Sequence, residues 1–559
     1  MVHQLRGMRR PAIALVVAVA LIGPPAIVAL SQPAAAAAGG ISTIAGTGAV
    51  GELGDGGPAV AAALNQPHGV AVDARGNTLI ADSVNNVVRV VAVSASNPGY
   101  PLAGCAGVCT WTVGAIYIVA GHYLGGYNGD RIPATTAQLF APTDVAVDAA
   151  GNPIIADSLN ERVRVVAVSA TNPGYPLPSW TVGDIYTIAG NGPGALHYGG
   201  DGSYATDAQL NSPGKVTVDA HGNALLADTG NNRVRVVAVS VSNPGYLLGG
   251  CTGPCTWIRG YIYTVAGTGF AGYNGDFLPA TGADLNGPTG IAVDAHGNLY
   301  VSDTTNQRLR VVAVSSSNPG FPLASWTAGD IYTIAGNSGA GYSGDGFLAA
   351  SAQINGAQGV TVDTHGNPLI ADTGNERVRV VAVSASNPGY PLGGCAGSCT
   401  WAPTHIYTVA GTGTGAYNGD GILATKAQLY SPTDVATHGN LFIADSVNSR
   451  VREVQLGAAT TAPCAPRNVT ATLRKGQAVV RWQAPSCNGG SAVTGYVVTP
   501  YLKSTAQRAR TFRSSATTEV ITGLTPKKSY RFKVAARNAI GLGPLSSFSN
   551  AVTVTSASH

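Results

Sequence analysis

Short runs of β-branched and aliphatic residues recur along the chain, each closed by a turn signal, and the pattern predicts β-strands almost throughout. In one stretch four such runs follow one another: Asp144 to Asp148, Pro153 to Asp157, Val163 to Ser169 and Ile185 to Ala189. The same order returns six times. Each copy contains a phrase of the type I-x-T-I-A-G, closing at Gly46, Gly121, Gly190, Gly267, Gly336 or Gly411, with spacings of 75, 69, 77, 69 and 75 residues. Four strands per repeat predict a propeller blade. The last unit, Thr433 to Val454, supplies three strands, whereas Ile41 to Gly46 is a fourth strand with no unit before it. The two ends therefore complete one blade, giving six blades rather than seven, and their pairing covers edges that would otherwise fray.

Between those strands the motif reads P-x-G-V-A-V-D-A-x-G-N-x-L-I-A-D-S/T-x-N-x-R-V-R-V, as in Pro288 to Val311 and, with Ala for Pro, in Ala357 to Val380. It resembles the NHL repeat, and the resemblance covers roughly residues 41 to 454. In the D-x-x-G-N turns (Asp73, Gly76, Asn77; Asp294, Gly297, Asn298), Asp can bond backbone two residues on and Gly supplies positive φ, so these acids read as structural. The sixth copy lacks two residues there (Asp434 to Asn440), and a distorted turn is expected.

Ahead of the ring, Arg6, Arg9 and Arg10 precede an apolar run from Ile13 to Ile22, then Gly23, Pro24 and Pro25, and the small residues Ala34 to Ala38. This reads as a secretory signal over residues 1–38. An uncleaved anchor is the alternative, although the prolines interrupt the run short of the ~20 residues a span needs. Eight cysteines agree with export. Cys105 and Cys109, Cys251 and Cys255, and Cys395 and Cys399 are C-x-x-x-C pairs in connections between third and fourth strands, and Cys464 and Cys487 remain as a fourth pair. Without accompanying His or Cys, disulfides are preferred to half metal sites. The cysteine-bearing connections alternate with shorter P-x-S-W-T versions, which gives the ring pseudo-threefold character.

The propeller is expected over residues 39–456, a linker over 457–463, and a second domain over 464–557. The second domain carries Pro466 to Val469, Val479 to Trp482, Gly495 to Val498 and Y-x-F-x-V-x-A-x-N from Tyr530 to Asn538. It resembles a fibronectin type III domain. The resemblance implies a β-sandwich with Trp482 as the core tryptophan and Tyr530 at the tyrosine corner; a Cys464–Cys487 disulfide would be a departure from the family. The fold class is therefore all-β, a six-bladed NHL-type propeller followed by a sandwich.

Charge separates the two parts. From Pro463 onward thirteen Lys and Arg stand against one acid, Glu519, a net +12; with +3 on the leader and +4 overall, the ring carries −11. A basic sandwich can simply be soluble. Alternatively Lys503, Arg508, Arg510, Arg513, Lys527 and Lys528, with Arg531 and Lys533, contact an anionic polymer at the envelope, or the sandwich docks on the acidic ring. Nucleic acid is the weakest polyanion candidate, given export and the lack of interleaved exposed aromatics.

Residues just after the leading proline of each inner strand crowd the channel mouth. His68, Asp144, Lys215, Gln358 and Asp434 place polar side chains there, and Asp434, His68, Asp144 and Lys215 fall in four consecutive blades. This crescent could bind a ligand or stand as a solvated mouth. On the same face lie G-D-G loops with Asp55, Asp130, Asp201, Asp276, Asp345 and Asp420; one carboxylate per loop favours a structural turn over a calcium site. His221, His296, His365 and His438 are expected on the opposite face, in separate blades, too dispersed to share a zinc ion.

Two function classes follow. One is a secreted or envelope-associated binding or scaffold protein, monomeric, without a cofactor, whose ring engages a protein or glycan. The alternative is a propeller enzyme of the lyase or lactone hydrolase kind with an axial polar or metal site. Its case is weakened by a single inward histidine, acids in only two blades, and no G-x-S-x-G or H-E-x-x-H motif.

Overall fold

The computed structural model describes residues 38–194, 198–457, 465–474, 477–485, 493–514, 516–537 and 542–555. The leader to residue 37, the linker after Gly457, and Cys464 and Cys487 lie outside the described residues. Among the described residues the structure is β throughout, with 3-10 turns and no α-helix.

Residues 40–454 form six antiparallel sheets, one per blade. Blade two is typical: Pro142–Val147, Pro153–Asp157, Arg162–Val166 and Asp184–Ala189 run in sequence from the inside outward. Each blade is packed between two others, so in blades one to five the second strand is buried at every position, as in Thr78–Asp82 of blade one. The first strands touch one another around a closed circuit, blade six meeting blade one. Ring closure is as expected: Gly40–Ala45 pairs with Arg450–Val454, placing Ile41 opposite Val454 and Thr43 opposite Arg452. Four blades add a short fifth strand at the outer edge, such as Ile132–Pro133 against Asp184–Ala189, which the sequence pattern does not announce.

Side chains of the D-x-x-G-N turn tie each blade to its own outer connection. Asp73 Oδ1 accepts the N–H groups of Arg75 and Asn77 at 2.8 and 2.9 Å, while Oδ2 accepts Asn77 Nδ2 and the Tyr100 hydroxyl at 2.7 and 3.0 Å. Asn77 Oδ1 in turn accepts the N–H groups of Val93 and Ser94, both at 2.8 Å. In blade six, instead of a distorted turn, the shortened sequence closes a tighter hairpin. Its first strand runs on through Pro432–His438, the chain reverses at Gly439 with φ 71°, and Asn440 Nδ2 donates to Glu453 instead, at 2.7 Å. The three C-x-x-x-C pairs Cys105–Cys109, Cys251–Cys255 and Cys395–Cys399 are disulfide-bonded. Each short loop delivers a tryptophan that stacks on a buried strand tyrosine, as Trp111 does on Tyr117 with centroids 5.6 Å apart.

The second domain is a sandwich of two sheets. Arg467–Arg474, Gln477–Gln483 and Thr518–Ile521 form one; Gly495–Leu502 and Ser529–Arg537 are the centre of the other. Trp482 lies in the core against Tyr496, and the Tyr530 hydroxyl accepts the Thr525 N–H at 3.1 Å, the tyrosine-corner bond.

Candidate functional site

At the channel mouth the second residue after each blade's leading position reads Gly69, Asp144, Lys215, Gly290, Gly359 and Asp434 around the ring. Blades three and six face each other across the axis. Lys215 therefore reaches across the channel to form an ion pair with Asp434, and its Nζ lies 3.9 Å from Asp144 Oδ1. Both carboxylates also clasp the next blade: Asp434 Oδ2 accepts the Val70 N–H and Asp144 Oδ2 the Val216 N–H, each at 3.0 Å. Glycine at 69 makes room for this, because a Cβ there would stand 2.5 Å from Asp144 Oδ1. The threonines one position earlier stitch neighbouring blades, Thr143 Oγ1 donating to the Pro213 carbonyl at 3.0 Å and Thr433 Oγ1 to that of His68 at 2.7 Å.

His68, Asp144, Lys215, Gln358 and Asp434, singled out from the sequence, all line one cavity of about 300 Å³. Burial lifts the Asp144 carboxyl to about 8, with Lys215 opposing and Asp434 adding to the rise. Burial pulls the Lys215 ammonium down, but Asp144 and Asp434 more than offset this and leave it above its ordinary value. Burial also holds the His68 imidazole below its usual range against the pull of Asp434, and its Nδ1 sits 3.2 Å from the Thr143 carbonyl. Asp144 is 3% exposed, and its Oδ1 has no hydrogen-bond partner among the described residues.

Around this well runs a rim that sequence reasoning missed. In every blade the turn after the second strand donates a backbone N–H to the residue two before the leading position of the first strand. The pairs are Val84 with Asn65, Leu159 with Phe140, Gly230 with Asn211, Thr305 with Asn286, Gly374 with Asn355 and Val447 with Tyr430. Blades six, one and two thus present Tyr430, Val447, Val84, Phe140 and Leu159, all 42–50% exposed. Blades three to five present Asn, Gly and Thr. The signal is in the repeats: D-S-V-N or D-S-L-N marks the apolar half, D-T-G-N or D-T-T-N the polar half.

The G-D-G acids have another occupation. Asp201 meets Arg235 at 2.8 Å, and Arg235 also reaches Asp228 at 3.4 Å; Arg89, Arg164, Arg310, Arg379 and Arg452 are clasped in the same way, and all six are fully buried. A buried guanidinium needs those carboxylates. Calcium would have to compete with it. Among the described residues no three His, Cys, Asp or Glu side chains gather as a metal-ligating group.

In the sandwich the basic residues are spread out. Lys503 and Lys527–Lys528 lie at turns at one end of the Gly495–Leu502 and Ser529–Arg537 pair, while Arg513 lies toward the other end, beyond Arg510–Phe512, ~24 Å away along the strands. Arg508 is exposed; Arg510 bonds the carbonyls of Arg508 and Thr522. Lys533 covers the Phe548 ring at 4.5 Å.

Comparison with known proteins agrees with this architecture. Residues 285–312 match the NHL repeat and residues 464–552 the fibronectin type III domain. The chain is similar to human Teneurin-1, 25% identical over 270 residues that make up 46% of this chain and 8% of that protein. It is also similar to mouse fibronectin type-III domain-containing protein 3A, 30% identical over 107 residues, 19% of this chain and 9% of that one. The chain thus spans less than a tenth of the length of these curated relatives. Among solved structures, a structural genomics protein of unknown function from Bacteroides thetaiotaomicron aligns over 74% of this chain and 75% of its own, with 15% identity and a TM-score of 0.44. NHL and fibronectin type III domains together point to a protein-interaction or scaffold role. Among the described residues no helix is long and apolar enough to cross a membrane.

Proposed function

We propose that this is an exported interaction protein whose ring receives a partner protein at the channel mouth, while the basic sandwich holds the chain on an anionic surface of the cell envelope. The observation that carries this reading is the buried Asp144 Oδ1, without a hydrogen-bond donor and with Lys215 Nζ 3.9 Å away, in the lining of a well whose rim is apolar on three adjacent blades. Exposed apolar side chains beside convergent polar groups are what binding surfaces are made of. Three disulfides in short loops accord with an oxidising compartment. The experiment is binding of the full chain to isolated cell envelopes, with excess dextran sulfate present to occupy the basic sandwich, comparing the parent with the double variant Leu159→Ser/Val447→Ser and with Arg75→Glu in an exposed turn on the opposite face. The rim variant should bind at least about tenfold more weakly, a loss of ~1.4 kcal/mol, and Arg75→Glu should bind like the parent. The reverse pattern would refute the mouth as the binding surface.

A further inference from the structure

The floor and rim of the mouth specify what kind of group fits, granted the reading that the mouth is where the partner binds. Two carboxylates, Asp144 and Asp434, face one ammonium, Lys215, and the ammonium is engaged by Asp434. Asp144 Oδ1 is buried without a hydrogen-bond donor, Lys215 Nζ standing 3.9 Å away, and a buried acceptor left without a donor is destabilising. An occupant relieves that cost only by bringing an N–H or O–H group, and a cationic donor relieves it most. The cavity, about 300 Å³, is at the lower bound for a ligand site. It admits one long side chain and no secondary-structure element. Above it the Tyr430–Val447, Val84 and Phe140–Leu159 half of the rim offers exposed apolar surface to whatever flanks that side chain, while the opposite half offers Asn, Gly and Thr. An acidic group would meet two carboxylates. A neutral sugar could lie on Phe140 or Tyr430 and donate a hydroxyl, but it brings no charge to match an ionised Asp144.

From this geometry we infer that the channel mouth is a socket for an arginine or lysine side chain of a partner protein, with that residue's apolar neighbours seated on the rim of blades six, one and two. Once Asp144 is ionised, above about pH 8 or on arrival of a cation, the socket holds two carboxylates against one ammonium and is complementary in charge to a cationic guest, and the rim sets the direction in which the partner's chain crosses it.

The full chain should be titrated calorimetrically, at pH 9, where Asp144 is ionised, and at low ionic strength, with the blocked pentapeptide acetyl-Ala-Leu-Arg-Leu-Ala-amide and with analogues carrying citrulline or glutamate at the centre. Citrulline keeps the shape and removes the charge. The arginine peptide should bind saturably, the citrulline peptide at least about tenfold more weakly, and the glutamate peptide not at all. Asp144→Asn, which keeps an oxygen for the Val216 N–H, should reduce discrimination between arginine and citrulline to less than about twofold. Leu159→Ser/Val447→Ser should weaken both peptides alike, and it provides the test should Asp144→Asn fail to fold. Equal binding of arginine and citrulline peptides by the parent would overturn the assignment. If the rim variant still lost envelope binding, only the basic-side-chain assignment would fall; if it kept envelope binding as well, the mouth itself would be refuted.

Discussion

Lys215 of blade three and Asp434 of blade six, 219 residues apart, form an ion pair across the axis of the ring. Diametrically opposed blades are thereby joined at the point where the channel opens. Removing the ammonium leaves Asp144 and Asp434 facing each other, both buried. Lys215→Met should therefore destabilise the ring by about 3–5 kcal/mol, the usual consequence of stripping one partner from a buried pair. Adding Asp144→Asn should restore part of that loss, so the two effects will not add. Urea unfolding of the single and double variants measures both.

Asp144 supplies a pH signature. Its carboxyl is raised to about 8 in the folded ring, above the ~3.9 of an unfolded chain, so the folded state keeps a proton that the unfolded state releases. The associated stability is fully present below about pH 4 and is lost as pH rises through about 8. Asp144→Asn stays neutral at every pH. Relative to the parent, the variant should gain melting temperature from pH 5 to pH 9, by no more than the equivalent of ~1.4 kcal/mol per pH unit. Lys215, Asp434 and His68 face the same carboxyl. His68, held below its ordinary value, acts in the opposite direction, its stability being lost as pH falls through that value, and it does so in parent and variant alike. A flat difference across the range would contradict the assignment.

Closure of the ring depends on the strand Gly40–Ala45, in which Ile41 is fully buried. A chain beginning at Thr47 should lose far more stability than a short exposed strand is worth, because the outer edge of blade six opens. Thermal melting checks it: a melting temperature within about two degrees of the parent's, a difference of only about 2 kcal/mol for an array this size, would rule out an interlocked ring.

Strand runs and turn chemistry were legible because they recur in the same order in every repeat and follow local rules. Compensations between repeats were not. Blade four has Phe321 where other blades carry Tyr100, Tyr175, Tyr246 and Tyr390, and the hydroxyl that Asp294 needs comes instead from Tyr300, at 3.2 Å. Blade one has Val87 where Arg162, Arg233, Arg308, Arg377 and Arg450 stand elsewhere. It also lacks the loop tyrosine that each of those arginines covers, Tyr127 being 3.8 Å from Arg162. The polar crescent could be placed because inner-strand starts converge on an axis by construction. Its closing by Lys215 and Asp434 depended on which blades oppose, and the apolar half-rim on two positions brought together by a backbone bond rather than by sequence adjacency.

For the sandwich, binding to an anionic polymer should be electrostatic and distributed. With dextran sulfate as probe, the full chain should lose affinity steeply with salt as the Debye length falls from about 10 Å at 0.1 M to about 3 Å at 1 M. Arg508→Glu/Arg513→Glu should weaken it further, whereas Arg510, whose guanidinium is engaged by the Arg508 and Thr522 carbonyls, should matter less. Salt-independent binding, or none, would reduce the basic surface to a solubilising one.

The most direct test of the channel mouth as the binding surface is hydrogen–deuterium exchange of the full chain with and without cell-envelope extract. Protection should concentrate in segments 65–70, 82–86, 140–145, 158–160, 213–216, 430–434 and 446–448, which contribute to the floor and apolar rim. Protection confined to the D-x-x-G-N turns on the opposite face, or to the sandwich alone, would contradict it.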